Sequence, residues 1–388
     1  MRNARSNKDT ERAAQRAKST LLVLKASVHV VTLVFAFLVS NSSWAIFESL
    51  KGSEHSGPYP VLDSKLSLPE SGGFRLLTWL DNDRLIFTGR PVAEVLADFA
   101  NRTSPPPYHL RMYIWNTRTN DIQVYVDFGG NGGFCYNELE NWIRYAVPGK
   151  KNAVKEGKFG EEREVVLDPT QLSVDARKNR GVFYHPLTCK EHPYPPEGSG
   201  ADRRVLPLYL DHGVLDVWGN QIDGRPIKLY SNDYRKVNEL PLPRRAIAPN
   251  RIYFSRYKNA YVLSGFTAPP SFSNAWGNWP RGVNQAVYLL SPDGKLKLGG
   301  EIPWHEKFRE ALGVFFTVKG LAYATSRPPE NKGLFLVRTN GVVRLLAGQI
   351  EAAGVSPDGC KVAAEISMEN ASKSGGMKVI DLCKGEKQ

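Results

Sequence analysis

The feature that most constrains the fold of this chain is a recurring pair of short strands joined by a tight turn. Each instance combines an apolar strand, a turn containing Gly, Asn or Asp, and a second apolar strand. The clearest instances are MYIWNTRTNDIQVYV (112–126), VLDVWGNQIDGRPIKLY (214–230), AVYLLSPDGKLKLGG (286–300) and LFLVRTNGVVRLLAG (334–348). Hairpins of a second kind lie at 76–89, 250–266, 313–326 and 352–366. The one persuasive helical stretch is 91–100, and the rest of the pattern consists of strands. The sequence therefore predicts an all-β chain of four-stranded units.

Four-stranded units that recur along a chain are typical of a β-propeller, in which each sheet hides its faces against its neighbours. We therefore predict a single β-propeller with six blades, at 74–128, 132–169, 178–232, 248–300, 312–348 and 352–388. The count is seven if residues 170–232 hold two compressed blades. The last unit ends after its third strand, so its outer strand must come from elsewhere. We expect Tyr59–Leu68 to supply that strand and close the ring, which removes exposed sheet edges.

The turn Ser356–Gly359, followed by a short strand to Ile366, resembles the repeat of TolB-type, WD40-like β-propellers of exported bacterial proteins. WLDNDRLIFTG at 79–89 looks like a degenerate copy. This resemblance implies a closed ring and a protein-binding or scaffolding role. It carries no active-site residues to transfer, and the His and Trp-Asp pattern of true WD40 repeats is missing from the sequence.

The four cysteines predict two disulfides. A hairpin centred on the loop 367–376 brings Cys360 opposite Cys383, within the Cα separation that a disulfide accepts. We expect this bond to stabilise the closing blade; the alternative is a pair of free, partly buried thiols. Cys135 and Cys189 are then paired by elimination.

The N-terminus predicts export. Residues 1–25 carry seven basic residues against two acidic ones, and the apolar run ASVHVVTLVFAFLV (26–39) follows. Small residues at Ser43 and Ala45 fit signal-peptide cleavage after Ala45, and the run is short for a membrane span. We expect a signal peptide (1–45), a leader with the closing strand (46–73) and the propeller (74–388), in a periplasmic or secreted protein. An uncleaved membrane anchor is the alternative.

Charge and composition restrict the classes of partner. The chain is 41% hydrophobic and 23% charged, which suits a folded core. Without residues 1–45 it keeps 44 basic and 37 acidic residues, a mild excess without a dense basic run. We therefore expect a monomer whose partner is a protein or glycan of the cell envelope, with no nucleic acid. Membrane contact is expected only if the N-terminal segment stays uncleaved.

No motif for catalysis, phosphate binding or calcium binding occurs in the sequence. His185 and His192 flank Cys189, but an oxidised cysteine is no metal ligand, so we predict neither metal nor cofactor. Propeller enzymes assemble acids from different blades on one face, and the sequence cannot rank its acids for that role. The acids that we retain as candidates are Glu138, Glu140, Asp211, Asp216 and Asp223.

The insertion SGFTAPPSFSNAWGNWPRGVNQ (264–285) is the most unusual irregular stretch. Exposed tryptophans stack on sugars or anchor protein interfaces, so we predict a binding patch of Phe272, Trp276, Trp279 and Arg281. The competing interpretation is that both tryptophans fold under the loop and are structural.

Two functions follow from these observations. The first is a non-catalytic, exported β-propeller that binds a protein or glycan through inserted loops, and it is favoured because no catalytic constellation is recognisable. The alternative is a propeller hydrolase or lyase acting on an envelope or extracellular polysaccharide. The enzymatic alternative would be favoured by two acids, or by a histidine beside an acid, that converge in the axial channel.

Overall fold

The computed structural model describes residues 58–68, 76–101, 110–128, 133–168, 182–185, 189–193, 208–210, 213–216, 227–230, 237–240, 253–266, 282, 284–303, 313–325, 332–339, 341–367 and 375–384. The chain divides into two compact units. The larger one, residues 54–339 with 343–388, contains the site discussed below. The smaller one, residues 1–53 with 340–342, is described only at residues 341 and 342, where a strand begins.

The described residues form strands almost throughout. Two short strands come first, β1 (Val61–Asp63) and β2 (Leu66–Ser67). Sheet 1 consists of β3 (Leu77–Trp79), β4 (Arg84–Pro91), β5 (Arg111–Asn116) and β6 (Asp121–Asp127), with helix α1 (Val92–Asn101) between β4 and β5. Sheet 2 consists of β7 (Phe134–Asn137), β8 (Trp142–Ala146), β9 (Ala153–Lys158) and β10 (Arg163–Val166). A separate two-stranded hairpin follows, β11 (Val182–His185) with β12 (Lys190–Pro193).

Four further sheets continue the series. Sheet 3 consists of β13 (Leu208–Leu210), β14 (Gly213–Asp216), β15 (Ile227–Tyr230) and β16 (Val237–Leu240). Sheet 4 consists of β17 (Tyr253–Ser255), β18 (Ala260–Phe266), β19 (Gln285–Leu290) and β20 (Leu296–Ile302). Sheet 5 consists of β21 (Gly313–Thr317), β22 (Gly320–Thr325), β23 (Gly333–Arg338) and β24 (Gly341–Ala347). Sheet 6 consists of β25 (Ile350–Val355), β26 (Lys361–Ile366), β27 (Gly376–Asp381) and β1.

The sheets are antiparallel meanders that pack face to face, which confirms the predicted all-β propeller class. One apolar cluster joins sheets 1 and 2 around Ile143, another joins sheets 1 and 6 around Trp115, and a third joins sheets 5 and 6 around Leu336. The first strands of the sheets lie innermost, because β3 and β21 both pack against β25. The fourth strands lie outermost and expose apolar side chains, such as Val166 at 78%. The number of blades remains a prediction.

The predicted closing strand is confirmed. Strand β1 pairs antiparallel with β27, with Val61 opposite Ile380, and supplies the fourth strand of sheet 6. Strand β2 then pairs with the end of β4 in sheet 1, with Leu66 opposite Pro91. The segment 61–67 therefore connects the last sheet to the first, and neither β27 nor this part of β4 is left as an open edge.

Both predicted disulfides are present. Cys360 is bonded to Cys383 with a Cα separation of 5.3 Å, and Cys135 to Cys189 with a Cα separation of 5.5 Å. The predicted register at the first bond was wrong by one residue. Lys361 faces Asp381, and the N–H of Leu382 donates to the oxygen of Cys360, so the ladder ends before Cys383. The disulfide lies just beyond this last backbone hydrogen bond.

The predicted third unit, 178–232, is also wrong in its bounds. The hairpin β11–β12 belongs to no four-stranded sheet in the described part of the chain, and sheet 3 runs from 208 to 240. The predicted helix at 91–100 is confirmed as α1. The predicted signal peptide, 1–45, lies outside the described residues. Within the ranges that the structure describes, no helix is long and apolar enough to cross a membrane.

Candidate functional site

A cavity of about 320 Å³ lies along the innermost strands of the propeller. Its described walls come from β3, β17, β21, β25 and the turns that follow β7 and β17. Five of the sheets therefore contribute to one space. The lining residues are Leu77, Glu138, Tyr253, Phe254, Ser255, Arg256, Tyr257, Gly313, Phe315, Phe316, Ala352, Ala353, Gly354, Val355 and Ser356.

Aromatic rings and very small residues shape this cavity. The rings of Tyr253 and Phe315 pack together with centroids 5.1 Å apart, across the boundary between sheets 4 and 5. On the side of sheet 6, β25 has the sequence IEAAGV, whose small residues leave room in front of it. A Cβ at Gly354 would approach Leu77 Cδ2 to 2.8 Å, so a larger residue there would displace the wall. These rings and small residues give the cavity an apolar side and leave room for one bulky group.

Glu138 is the one acid among the described lining residues. It comes directly after β7, in a turn in which Asn137 Oδ1 accepts hydrogen bonds from the N–H groups of Leu139 (3.0 Å) and Glu140 (3.3 Å). Its side chain is half-buried, and Thr78 donates a hydrogen bond to Oε1. Burial raises the pKa of Glu138 to about 7, although Thr78 and the nearby Arg256 act in the opposite direction. Glu138 therefore changes charge near neutral pH.

Arg256, in the turn after β17, reaches from sheet 4 to sheet 1. Its Nη1 donates to the main-chain oxygens of Trp79 (3.1 Å) and Leu80 (2.9 Å). It also interacts electrostatically with Glu138 and Tyr136. Its guanidinium thus faces the same space as Glu138, and it joins sheets that are distant in sequence.

Two tyrosines near Glu138 are poor proton acceptors or donors at neutral pH. Tyr253 donates its hydroxyl to the main-chain oxygen of Val314, and burial raises its pKa. Tyr136 donates to Asn141 Oδ1 over 2.6 Å, and burial raises its pKa to about 12. Both phenols therefore stay protonated and have their hydrogen atoms engaged with protein oxygens.

One edge of the cavity is covered by Tyr257. A Cβ at Gly359 would lie 2.9 Å from the Tyr257 ring, so the glycine allows this ring to lie flat on the first turn of sheet 6. The ammonium of Lys258 lies 4.3 Å from the centre of the same ring and 5.7 Å from that of Phe316. This arrangement adds a second positive charge to the edge of the cavity.

The other candidate acids do not lie at this cavity or are not described. Glu140 is exposed and forms an ion pair with Lys190 of β12. Asp216 ends β14, and nothing is described of its side chain. Asp211 and Asp223 lie outside the described residues. Cys189 is in a disulfide, and the described residues contain no cluster of three His, Cys, Asp or Glu side chains that could hold a metal ion.

The predicted binding patch of Phe272, Trp276, Trp279 and Arg281 lies outside the described residues. Its attachment points are described: Phe266, which ends β18, pairs with Gln285, which begins β19. This pair lies at the end of the sheet away from the turn 256–259, where Arg256 contacts the cavity. Arg256 and the aromatic walls were not predicted, because in the sequence they look like ordinary strand and turn residues.

Comparisons with known proteins bear on the fold. No protein-family model and no curated protein matches the chain. Similar solved structures include an oligogalacturonate lyase from Vibrio parahaemolyticus (9% identity, 86% of this chain and 99% of that one, TM-score 0.47). A second is the Cps50 (Swd1) β-propeller domain of Myceliophteria thermophila (12% identity, 83% of this chain and 99% of that one, TM-score 0.44). A third is TolB of Acinetobacter baumannii (11% identity, 85% of this chain and 81% of that one, TM-score 0.34). All three structures are similar to this chain at low identity, with TM-scores below 0.5.

Proposed function

We propose that this chain is an exported β-propeller that binds a protein or glycan partner and does not transform it chemically. The observation that carries the proposal is the cavity along the inner strands. Its walls combine aromatic and aliphatic side chains with polar groups, and its described ionic side chains are one acid, Glu138, and one guanidinium, Arg256. Sites of this composition hold a bulky group in place, with a few polar contacts fixing its orientation.

The insertion 264–285 supplies a second contact in this proposal. Its tryptophans, Trp276 and Trp279, would anchor the partner beside the contact made in the cavity. Two contacts strengthen binding, because the second contact becomes intramolecular once the first has formed.

Export is supported by the two disulfides, which are typical of oxidising compartments. We propose that the signal peptide is cleaved after Ala45 and that the mature protein is a periplasmic or secreted monomer. Sequencing the N-terminus of the exported protein tests this, because it should begin at Ile46. A mature protein that keeps residues 26–39 would show a membrane anchor instead.

Polysaccharide cleavage is the weaker alternative. Glycoside hydrolases need two acids, on either side of the reacting bond. The described lining residues supply one, Glu138, and its nearest ionic neighbour, Arg256, is engaged with main-chain oxygens. The present geometry therefore favours binding over hydrolysis.

Co-purification from the native cell envelope tests the proposed function. We expect wild-type protein to retain a partner that the double variant Trp276→Ala/Trp279→Ala loses, while the thermal unfolding curve stays nearly unchanged. Phe99→Ala is the matched control, since Phe99 is an exposed aromatic residue on α1, 42% accessible. Loss of the partner in the control as well, or turnover of an envelope polymer by the wild type, would contradict the proposal.

A further inference from the structure

The cavity contains a gap between two groups of complementary chemistry. Glu138 and Arg256 both line it and interact electrostatically, yet no ion pair within 4.0 Å joins them. Both hydrogen bonds that Arg256 donates among the described residues leave from Nη1. A guanidinium has five N–H donors, so Nη2 and Nε remain to bind an acceptor. The space between the two side chains is therefore suited to a third group that bonds to both.

The charge of the site favours an anionic group. Arg256 is always protonated, and Lys258 adds a positive charge at the edge. The facing acid, Glu138, is neutral below about pH 7, and its hydroxyl is then a donor. A carboxylate placed in the gap would accept from the Arg256 guanidinium and from protonated Glu138. A cationic group would meet the two positive charges.

The walls favour a peptide over a sugar. A sugar carries several hydroxyl groups, each of which needs a hydrogen-bonding partner when it is buried. Three of the described hydroxyls near this space already donate, Tyr253 to Val314, Thr78 to Glu138 and Ser356 to Asp358, which leaves those of Ser255 and Tyr257. Much of the remaining described surface consists of rings, aliphatic side chains and glycines, which an apolar side chain can contact closely.

We infer that the cavity binds the carboxyl terminus of a peptide, with the carboxylate between Arg256 and Glu138 and an apolar or aromatic last side chain against Tyr253 and Phe315. The inference rests on the proposed binding function and names the partner group. Capture of a C-terminal carboxylate is a recurring mode of peptide recognition, and a guanidinium binds carboxylates with paired, charge-assisted hydrogen bonds. The volume of about 320 Å³ is enough for a single terminal residue.

Binding should then depend on pH through Glu138. The groups that face it are Arg256 from the turn after β17, Thr78 from β3, Tyr253 from β17 and Tyr136 from β7, whose raised pKa keeps it protonated. Tyr253 and Thr78 keep their protons, and Arg256 keeps its charge, so Glu138 is the group that titrates near neutrality. With its pKa at about 7, the protonated fraction falls about tenfold between pH 6 and pH 8, and the affinity for a carboxylate should fall by up to that factor.

The test uses oxidised, exported protein and N-acetyl-phenylalanine as the probe, with binding measured by ligand-observed NMR at pH 6, 7 and 8. The matched neutral probe is N-acetyl-phenylalanine amide, and the sugar arm is glucuronate. We expect the acid to bind, the amide to bind at least tenfold more weakly, and the affinity of the acid to decrease toward pH 8. Equal binding of acid and amide, or tighter binding of glucuronate, would overturn the inference.

Two conservative variants connect the binding to the residues. Glu138→Gln keeps a donor without a charge, so the probe should bind with an affinity that no longer depends on pH. Arg256→Lys keeps the charge but loses the guanidinium fork, so the probe should bind more weakly at every pH while the pH dependence remains. Arg163→Lys, on exposed β10, is the control that should change nothing. An unchanged pH profile in Glu138→Gln would also overturn the inference.

This experiment separates the inference from the proposed function. If a partner co-purifies with the wild type but N-acetyl-phenylalanine does not bind, binding is the function and the named group is wrong. If neither binds, the proposed function fails as well.

Discussion

Arg256 donates from Nη1 to the main-chain oxygen of Leu80 over 2.9 Å, and so connects the fourth sheet directly to the first. A second bond from the same nitrogen reaches the oxygen of Trp79 at 3.1 Å. Trp79 and Leu80 are buried, at 2% and 7% exposure, so these oxygens have little access to water. One side chain therefore both borders the cavity and satisfies main-chain acceptors on a distant part of the ring.

Arg256→Met should destabilise the protein, because two buried oxygens lose their charged donor. We expect the free energy of unfolding in urea to fall by about 2 kcal/mol, as is usual for hydrogen bonds to charged groups. Arg163→Met, which removes an exposed arginine from β10, is the control and should have an effect below about 0.5 kcal/mol. Equal unfolding energies for wild type and Arg256→Met would show that the bonds to Trp79 and Leu80 contribute nothing.

Glu138 should make stability depend on pH. Its folded-state pKa of about 7 lies above the ordinary value of 4.5, so the folded chain holds this proton more tightly than the unfolded chain. The resulting stabilisation is fully present below pH 4.5 and is lost as the pH rises through 7. Since the side chain is only half-buried, we expect a contribution on the order of 1 kcal/mol.

The measurement is urea unfolding of the wild type and of Glu138→Gln at pH 5 and pH 8. The wild type should lose more stability than the variant over this range, because glutamine does not titrate. If the free energy of unfolding changes by the same amount between pH 5 and pH 8 in both proteins, the carboxyl of Glu138 does not have the raised pKa.

The Cys360–Cys383 disulfide should stabilise the seam of the ring. Its sequence separation is 23 residues, for which the chain-entropy account gives about 3 kcal/mol. The double variant Cys360→Ala/Cys383→Ala should lose that amount in urea unfolding and should show faster hydrogen exchange in β1 and β27. The variant Cys135→Ala/Cys189→Ala is the comparison, and there the faster exchange should appear in β11 and β12. The same exchange pattern in both variants would mean that neither bond acts locally.

Glu365 should hold the closing segment to sheet 6. It is 3% exposed, and its Oε1 accepts hydrogen bonds from Ser67 Oγ (2.9 Å) and from the N–H of Leu68 (2.6 Å). Glu365→Ala leaves both buried donors without this partner, so the free energy of unfolding should fall by about 2–3 kcal/mol. Glu161→Ala, an exposed glutamate, is the control.

A double-mutant cycle with Ser67→Ala checks the assignment of Glu365. If the bond between Ser67 and Glu365 matters, the two substitutions together should cost less than the sum of their separate costs. If the losses in the free energy of unfolding from the two single substitutions simply add up in the double variant, Glu365 acts through other contacts.

Local patterns in the sequence predicted most of the strands. Hairpins such as Gly313–Thr325 combine apolar alternation with a tight turn, and these two signals fix strand and turn without knowledge of the rest of the chain. The closing strand β1 was predictable too, because the last unit visibly lacked a fourth strand. In both cases the signal was contained in one segment, or in a simple count of strands.

The third unit shows where such patterns fail. The segment 182–193 has the local form of a hairpin, and it does form one, but β11 and β12 pair only with each other in the described chain. The disulfide of Cys135 with Cys189 and the ion pair of Lys190 with Glu140 connect this hairpin to sheet 2 instead. A hairpin joins one sheet or another through contacts that are distant in sequence. The local pattern of residues 182–193 therefore could not predict which sheet this hairpin joins.

The candidate site was even less predictable. Glu138 was one of five acids with no feature to distinguish it, and only the packing of sheets 1, 2 and 4 brings it beside Thr78 and Arg256. Its raised pKa is a consequence of burial in that packing. A single sequence contains the residue types of such a site but not their convergence on the axis of the ring.

The pairing of β1 with β27 also sets an order of events during synthesis. Val61 pairs with Ile380, so β1 has no partner strand until synthesis has reached β27. A chain exported from its N-terminus would reach the far side of the membrane with this strand still waiting. Closure between the first and last sheets, and therefore completion of the cavity between them, is delayed until β27 has been made.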